Sequence, residues 1–233
     1  MNELRNVNWT KLLIFYGSIL VFTYLSRQLP NVLTEVANIF TDIHLPWNFN
    51  HGIAILFVSA IFYKFYFKNI SQISFLGNNP IKSILFPIIL FSGYGIYGIN
   101  NDQEINPHSW ALIFCTFTLI YDLMEEYTWR GYLYENLNNI NLIIKGIISG
   151  IFWALWHLLI FSNYEQYGGF TIFLLFCIIF STMLNFTVKK TNSLLVAATV
   201  HALLIRTNEA TAICAILFLI LLVTWNKKLK FKR

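Results

Sequence analysis

The chain has 233 residues, 57% of them hydrophobic, 18% aromatic and only 12% charged, with a formal net charge of +5. Soluble domains carry about 25% charged residues, so this composition cannot cover a water-facing surface and excludes an ordinary soluble domain. The positive balance does not point to nucleic acid, because the lysines and arginines sit in short clusters between apolar runs, as membrane topology requires.

Taken in chain order, the first apolar run, 10–26, is followed by Ser26-Arg27-Gln28-Leu29-Pro30 rather than a small-residue cleavage site. It therefore reads as a first span and not as a removable signal peptide. Segment 30–46, with Glu35 and Asp42 among Val, Leu, Ile and Phe, reads as an amphipathic interfacial helix. Further helices are expected over 51–67, 82–99, 109–130, 143–162, 170–188, 192–207 and 210–226, each near the ~20 residues that cross the hydrocarbon. The expected fold is an all-α polytopic transmembrane helix bundle of about eight spans. No internal repeat, low-complexity tract, lipidation motif or soluble domain stands out.

Orientation follows from the basic residues. With the N-terminus inside and the spans alternating, 14 of the 16 Lys and Arg fall on the cytoplasmic side. They include Lys64, Lys68 and Lys82, then Arg130 and Lys145, and the tail Lys227–Arg233; only Arg27 and Arg206 fall outside. This places both termini in the cytoplasm and the chain in the cell membrane as a multi-pass protein. The tail 227–233 is a basic anchor that favours anionic lipid. Cys115, Cys177 and Cys214 all lie inside apolar runs and read as small buried hydrophobes.

Ionisable residues inside spans are expensive, at ~2.5–3.5 kcal/mol each on insertion scales, and usually functional. In Tyr121-Asp122-Leu123-Met124-Glu125-Glu126-Tyr127-Thr128-Trp129-Arg130, Glu126 and Arg130 are four apart and share a helix face. They are placed to pair, and a guanidinium holds a carboxylate through two parallel hydrogen bonds. Glu125 points about 100° away and lacks a local cation, which suits it to taking and giving a proton. The plainer alternative is a cytoplasmic helix end where these carboxylates meet water. His157, in Trp153-Ala154-Leu155-Trp156-His157, and His201, in Ala197-Ala198-Thr199-Val200-His201, are mid-span histidines. Either alone reads as a core residue. Two such histidines with a glutamate pair, on three spans, have the composition of a hydrolytic centre. His51 and His108 read as ordinary interfacial residues at outer span ends.

At these residues the chain resembles the CAAX-protease and bacteriocin-processing (CPBP/Abi) family of intramembrane endopeptidases. That family is marked by E-E-x-x-x-R, F-x-x-x-H and H-x-x-x-N on separate helices. Glu125-Glu126-Tyr127-Thr128-Trp129-Arg130 matches the first motif in full. Trp153-Ala154-Leu155-Trp156-His157 has Trp where Phe is usual. His201 fits the third motif, but the fourth position after it is Ile205 rather than Asn. The resemblance divides the chain into N-terminal transmembrane helices (1–108), a protease domain (109–226) and the basic tail.

The resemblance implies that Glu125 is the general base for the attacking water, that Glu126 orients or ligates, and that Arg130 anchors it. It implies that His157 positions water or metal and that His201 contributes to the oxyanion site. Zinc bound by Glu125, Glu126, His157 and His201 is one option, since a catalytic zinc takes three protein ligands; a metal-independent glutamate–histidine mechanism is the other. The implied substrate is a peptide or membrane protein, in a bacterium a pheromone or bacteriocin precursor or a self-immunity target; no nucleic-acid partner is expected. If the Asn absent at position 205 serves the oxyanion, its loss corresponds to ~10²–10³ in rate. Asn208, seven residues after His201, is the nearest substitute on that face. The alternative to an endopeptidase is a non-catalytic membrane scaffold that regulates a partner protein. A small proton-coupled transporter is a third reading, without the paired repeats such folds show. At 1.5 Å per residue, Glu125 falls near the inner end of its span and His157 toward the outer end of the next. A shared site therefore needs a tilt or a later start to the second span.

Overall fold

The computed structural model describes residues 3–67, 71–137, 140–205 and 208–226, with the side chains of Asn6 and Ile205 left out. Lys68, Arg206 and the basic tail 227–233 lie outside the described residues. The described chain is helical, with no β-strand and one isolated bridge between Ser74 and Ser193.

Each of the eight apolar runs forms a helix. They are α1 (Trp9–Arg27), α3 (Asn50–Tyr66), α4 (Pro80–Tyr97), α5 (Pro107–Glu126), α7 (Leu142–His157), α8 (Phe170–Thr191), α9 (Leu194–His201) and α10 (Glu209–Val223). Side chains just outside the apolar runs start many of them by accepting from the first free backbone N–H groups. Asn8 caps α1, Asn79 caps α4 with Pro80 beside it, Asn141 caps α7 and Ser193 caps α9. Among the described residues, α1, α4 and α8 are long and apolar enough to cross a membrane, and α7, α9 and α10 are shorter apolar helices.

The segment 30–46 differs from the expected interfacial helix: only α2 (Val32–Ala37) is helical there. Beyond it the Thr41 hydroxyl accepts the Ile43 N–H at 3.2 Å, a local bond that competes with the helical ladder, and Pro46 follows.

The other difference lies after α5. The helix does not end at Arg130. It widens into a π-helix (Tyr127–Leu133) and runs on into α6 (Tyr134–Asn136). Glu125 thus sits well inside a continuous helical rod, and the depth mismatch counted from the sequence disappears.

The chain separates into two compact units. The first comprises Met1–Gln72 and Ile120–Phe186. Within it α1 packs along α3, and the Trp156 indole N–H on α7 donates to Thr23 on α1 at 2.8 Å. Helix α7 lies close on α8 because Gly146 and Gly150 have no side chains. A Cβ on Gly146 would overlap Thr182, and one on Gly150 would overlap the backbone at Ile178. This small-xxx-small spacing allows close approach of apolar helices.

The second unit comprises Ile73–Leu119 and Thr187–Arg233. Its loop before α4 is tied to the start of α9, where the Ser193 hydroxyl donates to the Phe75 carbonyl at 2.9 Å. Gly77 (φ +64°) makes the turn there, and a side chain on it would strike Thr191 and Ser193. Helices α4 and α10 pack together, with the Tyr94 and Thr211 hydroxyls 2.8 Å apart.

Polarity is inverted relative to a soluble protein. Ile179 on α8 is 71% exposed and Val223 on α10 is 67% exposed, whereas Glu126 and Arg130 are 0% exposed. Apolar surface outside and ionisable groups inside is the arrangement a bilayer favours. All three cysteines are buried and unpaired, as expected.

Candidate active site

The first unit brings Glu125, Glu126, Arg130 and His157 together, all buried. Asp122 is buried as well, so these carboxylates do not meet water at a helix end.

The Glu126–Arg130 pair forms as the spacing predicts, with Nη1 donating to Oε1 at 3.2 Å and both side chains fully buried. Arg130 reaches a second helix: its Nη2 donates to the Ser181 hydroxyl on α8 at 3.0 Å. Its guanidinium carbon also lies 5.5 Å from the centre of the Trp153 ring on α7, within the range of a cation–π contact. Arg130 therefore ties three helical segments to one carboxylate. Breaking a buried pair of this kind by removing one partner typically costs ~3–5 kcal/mol.

The pair sits at the junction where the α-helix becomes a π-helix, a feature that recurs at functional sites. Local contacts account for the widening. The Thr128 hydroxyl bonds back to the Met124 carbonyl at 3.1 Å and accepts from Ser59 on α3 at 3.0 Å. Gly131 lies against Tyr63, whose oxygen would stand 3.0 Å from a Cβ there. Glu135, at the exit, accepts from the Tyr63 hydroxyl at 2.9 Å, from Ser71 at 3.0 Å and from the Gln72 N–H at 2.8 Å. The carboxylate at 135 thus fixes the end of the segment that begins with the Glu125–Glu126 pair.

Glu125 is held from another direction. The Trp153 indole N–H donates to its Oε2 at 2.7 Å, and the Tyr121 hydroxyl, one turn earlier on α5, also hydrogen-bonds to it. His157 is one turn beyond Trp153, and its Nδ1 lies 2.8 Å from the Trp153 carbonyl oxygen. A carbonyl only accepts, so Nδ1 is the donor in this bond. The imidazole stands edge-on to Trp153 and Trp156, at ring separations of 5.1 and 4.9 Å, with Phe173 across from it at 5.2 Å.

His201 is the last residue of α9 and is buried in the second unit, followed by a 3-10 turn over Ala202–Ile205. The Ile205 side chain lies outside the described residues. Asn208 is the N-cap of α10, its side-chain oxygen accepting from the Thr211 N–H at 3.1 Å while the Thr211 hydroxyl receives the Asn208 backbone N–H at 3.2 Å, a reciprocal capping box.

One further sequence expectation changes. His51 is buried, edge-on to Tyr121 at 5.4 Å and 5.8 Å from the Trp156 ring, rather than interfacial; Gly52 beside it leaves room for Tyr121 and Met124. His108 is at an exposed turn, bonded to the Gly95 carbonyl. Arg130, Lys82 and Lys145 are all buried.

The proposed metal ligands divide between the units, with three in the first and His201 in the second. Among the described residues no group of three or more His, Cys, Asp or Glu side chains is placed to hold an ion. A zinc site of three protein ligands is therefore not formed by the residues as they stand, and no step below is routed through a metal.

Residues 106–204 match the family model for type II CAAX prenyl endopeptidase Rce1-like proteins. That stretch contains the Glu125–Glu126–Arg130 cluster, Trp153, His157, Ser181 and His201. No curated protein and no solved structure matches the chain.

Proposed function

We propose, from the premise that residues 106–204 are an Rce1-like domain of the CAAX-protease family, that this membrane protein is an intramembrane endopeptidase. Its substrate is a peptide or a membrane protein. The observation that carries the reading is the buried Glu125 held by the Trp153 N–H at 2.7 Å, beside an Arg130 that is already matched by Glu126. A buried carboxylate held in place by a fixed donor is suited to general-base work.

In the proposed reaction Glu125 takes a proton from water as the water oxygen attacks the scissile carbonyl carbon. The tetrahedral intermediate places negative charge on the former carbonyl oxygen. The C–N bond then breaks, and the proton on Glu125 passes to the leaving amine. His157, held by its Nδ1–H on the Trp153 carbonyl, orients the water. Arg130 and Glu126 keep the helical segment that carries Glu125 in place.

The experiment is cleavage in native membranes of two probes, a prenylated CAAX peptide and a bacteriocin-type leader peptide. Wild type is compared with Glu125→Gln and His157→Ala at equal protein levels. Cleavage of either probe by wild type, lost in both variants, supports the proposal and identifies the substrate class. Cleavage that survives Glu125→Gln contradicts it.

Ile205 favours a second reading, a non-catalytic scaffold that binds a partner through its helices. Under that reading wild type cleaves neither probe and Glu125→Gln retains partner binding. Ile205→Asn separates the two further: a gain in cleavage shows a site weakened at this position, and unchanged cleavage shows that position 205 takes no part.

A further inference from the structure

We propose that Trp153 is a positioning residue of this site, fixing the Glu125 carboxylate through its indole N–H; the assignment rests on the reading of Glu125 as the general base. Trp153 is almost fully buried on α7. Three parts of the one residue meet three members of the cluster. Its Nε1–H donates to Glu125 at 2.7 Å. Its ring face lies 5.5 Å from the Arg130 guanidinium carbon. Its backbone oxygen accepts the Nδ1–H of His157 at 2.8 Å.

A phenyl ring at this position supplies the face and the backbone oxygen but no N–H, so the hydrogen bond to Glu125 is particular to the tryptophan. Hydrogen bonds to an ionised acceptor are shorter and stronger than neutral ones, and 2.7 Å is at the short end for an N–H donor. Holding one carboxylate oxygen restricts rotation about the terminal torsion of the glutamate, which is otherwise broad. The side chain of residue 153 then sets the direction of the base while its carbonyl holds the Nδ1–H of the histidine one turn on. Trp153 thus contacts both Glu125 and His157, which lie on different helices.

Close packing of α7 on α8 supports this role. The glycines at 146 and 150 bring the helices together one to two turns before Trp153. On α8, Ser181 accepts from Arg130 and Phe180 stacks on the indole with ring centres 6.1 Å apart. The indole is thus backed by a rigid wall and can aim its N–H.

The test uses the full-length protein in liposomes, with a cleavable peptide probe, and compares wild type, Trp153→Phe and Trp153→Leu. Trp153→Phe is expected to lower kcat about ten- to a hundredfold, the effect of one lost hydrogen bond to a charged group, with KM within about twofold. Trp153→Leu, which also removes the ring face beside Arg130, should lower the thermal midpoint as well. Wild-type kcat in Trp153→Phe overturns the assignment, and so does a parallel fall in kcat and thermal midpoint, which marks the ring as packing alone. A second readout is independent of turnover: the infrared carboxylate band of Glu125, identified as the band missing in Glu125→Gln. It should shift in Trp153→Phe, and an unchanged band overturns the assignment. A shifted band in a protein that cleaves nothing supports the Trp153–Glu125 contact and overturns the peptidase reading instead.

Discussion

Lys82 and Arg130, both buried, are used differently. Lys82, in the second unit, donates to the Thr224 carbonyl and, at 2.9 Å, to the Trp225 carbonyl, just past the end of α10. It neutralises the partial negative charge that a helix C-terminus carries and satisfies oxygens that have no partner within the helix. Arg130, in the first unit, meets a carboxylate, a serine hydroxyl and an indole face from three different segments. One cation finishes a helix. The other organises ionisable side chains that a purely structural core would avoid, since such pairs contribute little net stability for their desolvation. A buried charge is thus informative through its partners: backbone carbonyls point to architecture, and converging side chains point to chemistry.

The comparison can be broken most sharply at Arg130. Arg130→Met leaves Glu126 buried without its cation and should destabilise the protein by ~3–5 kcal/mol, seen as loss of folded protein in membranes. Arg130→Lys should recover abundance only in part, because an ammonium lacks the planar fork that reaches Glu126 and Ser181 together. Lys82→Met should cost less, ~1–3 kcal/mol for the carbonyls it leaves without a donor. Cleavage per folded molecule should be unchanged; a Lys82 variant that folds normally but loses turnover would remove the distinction. Ser181→Ala is the smallest of these changes, ~1 kcal/mol for one hydrogen bond, and a thermal-shift measurement in detergent checks it.

The helices themselves were legible because each apolar run is bounded by residues that end or cap it, such as Asn8, Asn79, Asn141 and Ser193. The Glu126–Arg130 pair was legible because spacing of four survives in the folded segment. The π-helix was not, since it depends on Ser59 and Tyr63 of α3 meeting Thr128 and Gly131, a tertiary contact that no local pattern records. For the same reason the helix seemed to stop near Arg130, and Glu125 seemed too close to its end. Trp153 and Ser181 were passed over because an aromatic or a serine in an apolar span is ordinarily packing; only the fold aims their polar atoms at Glu125 and Arg130.

The most direct measurement is turnover of a peptide probe by purified protein in liposomes, normalised to folded molecules, for wild type, Glu125→Gln and Lys82→Met. Glu125→Gln is expected to keep the wild-type thermal midpoint and lose at least ~10³-fold in kcat. Lys82→Met is expected to melt earlier while each folded molecule turns over normally. Cleavage by Glu125→Gln at a rate near wild type would contradict the assignment of Glu125 as the general base, and with it the placing of the hydrolytic centre in the first unit.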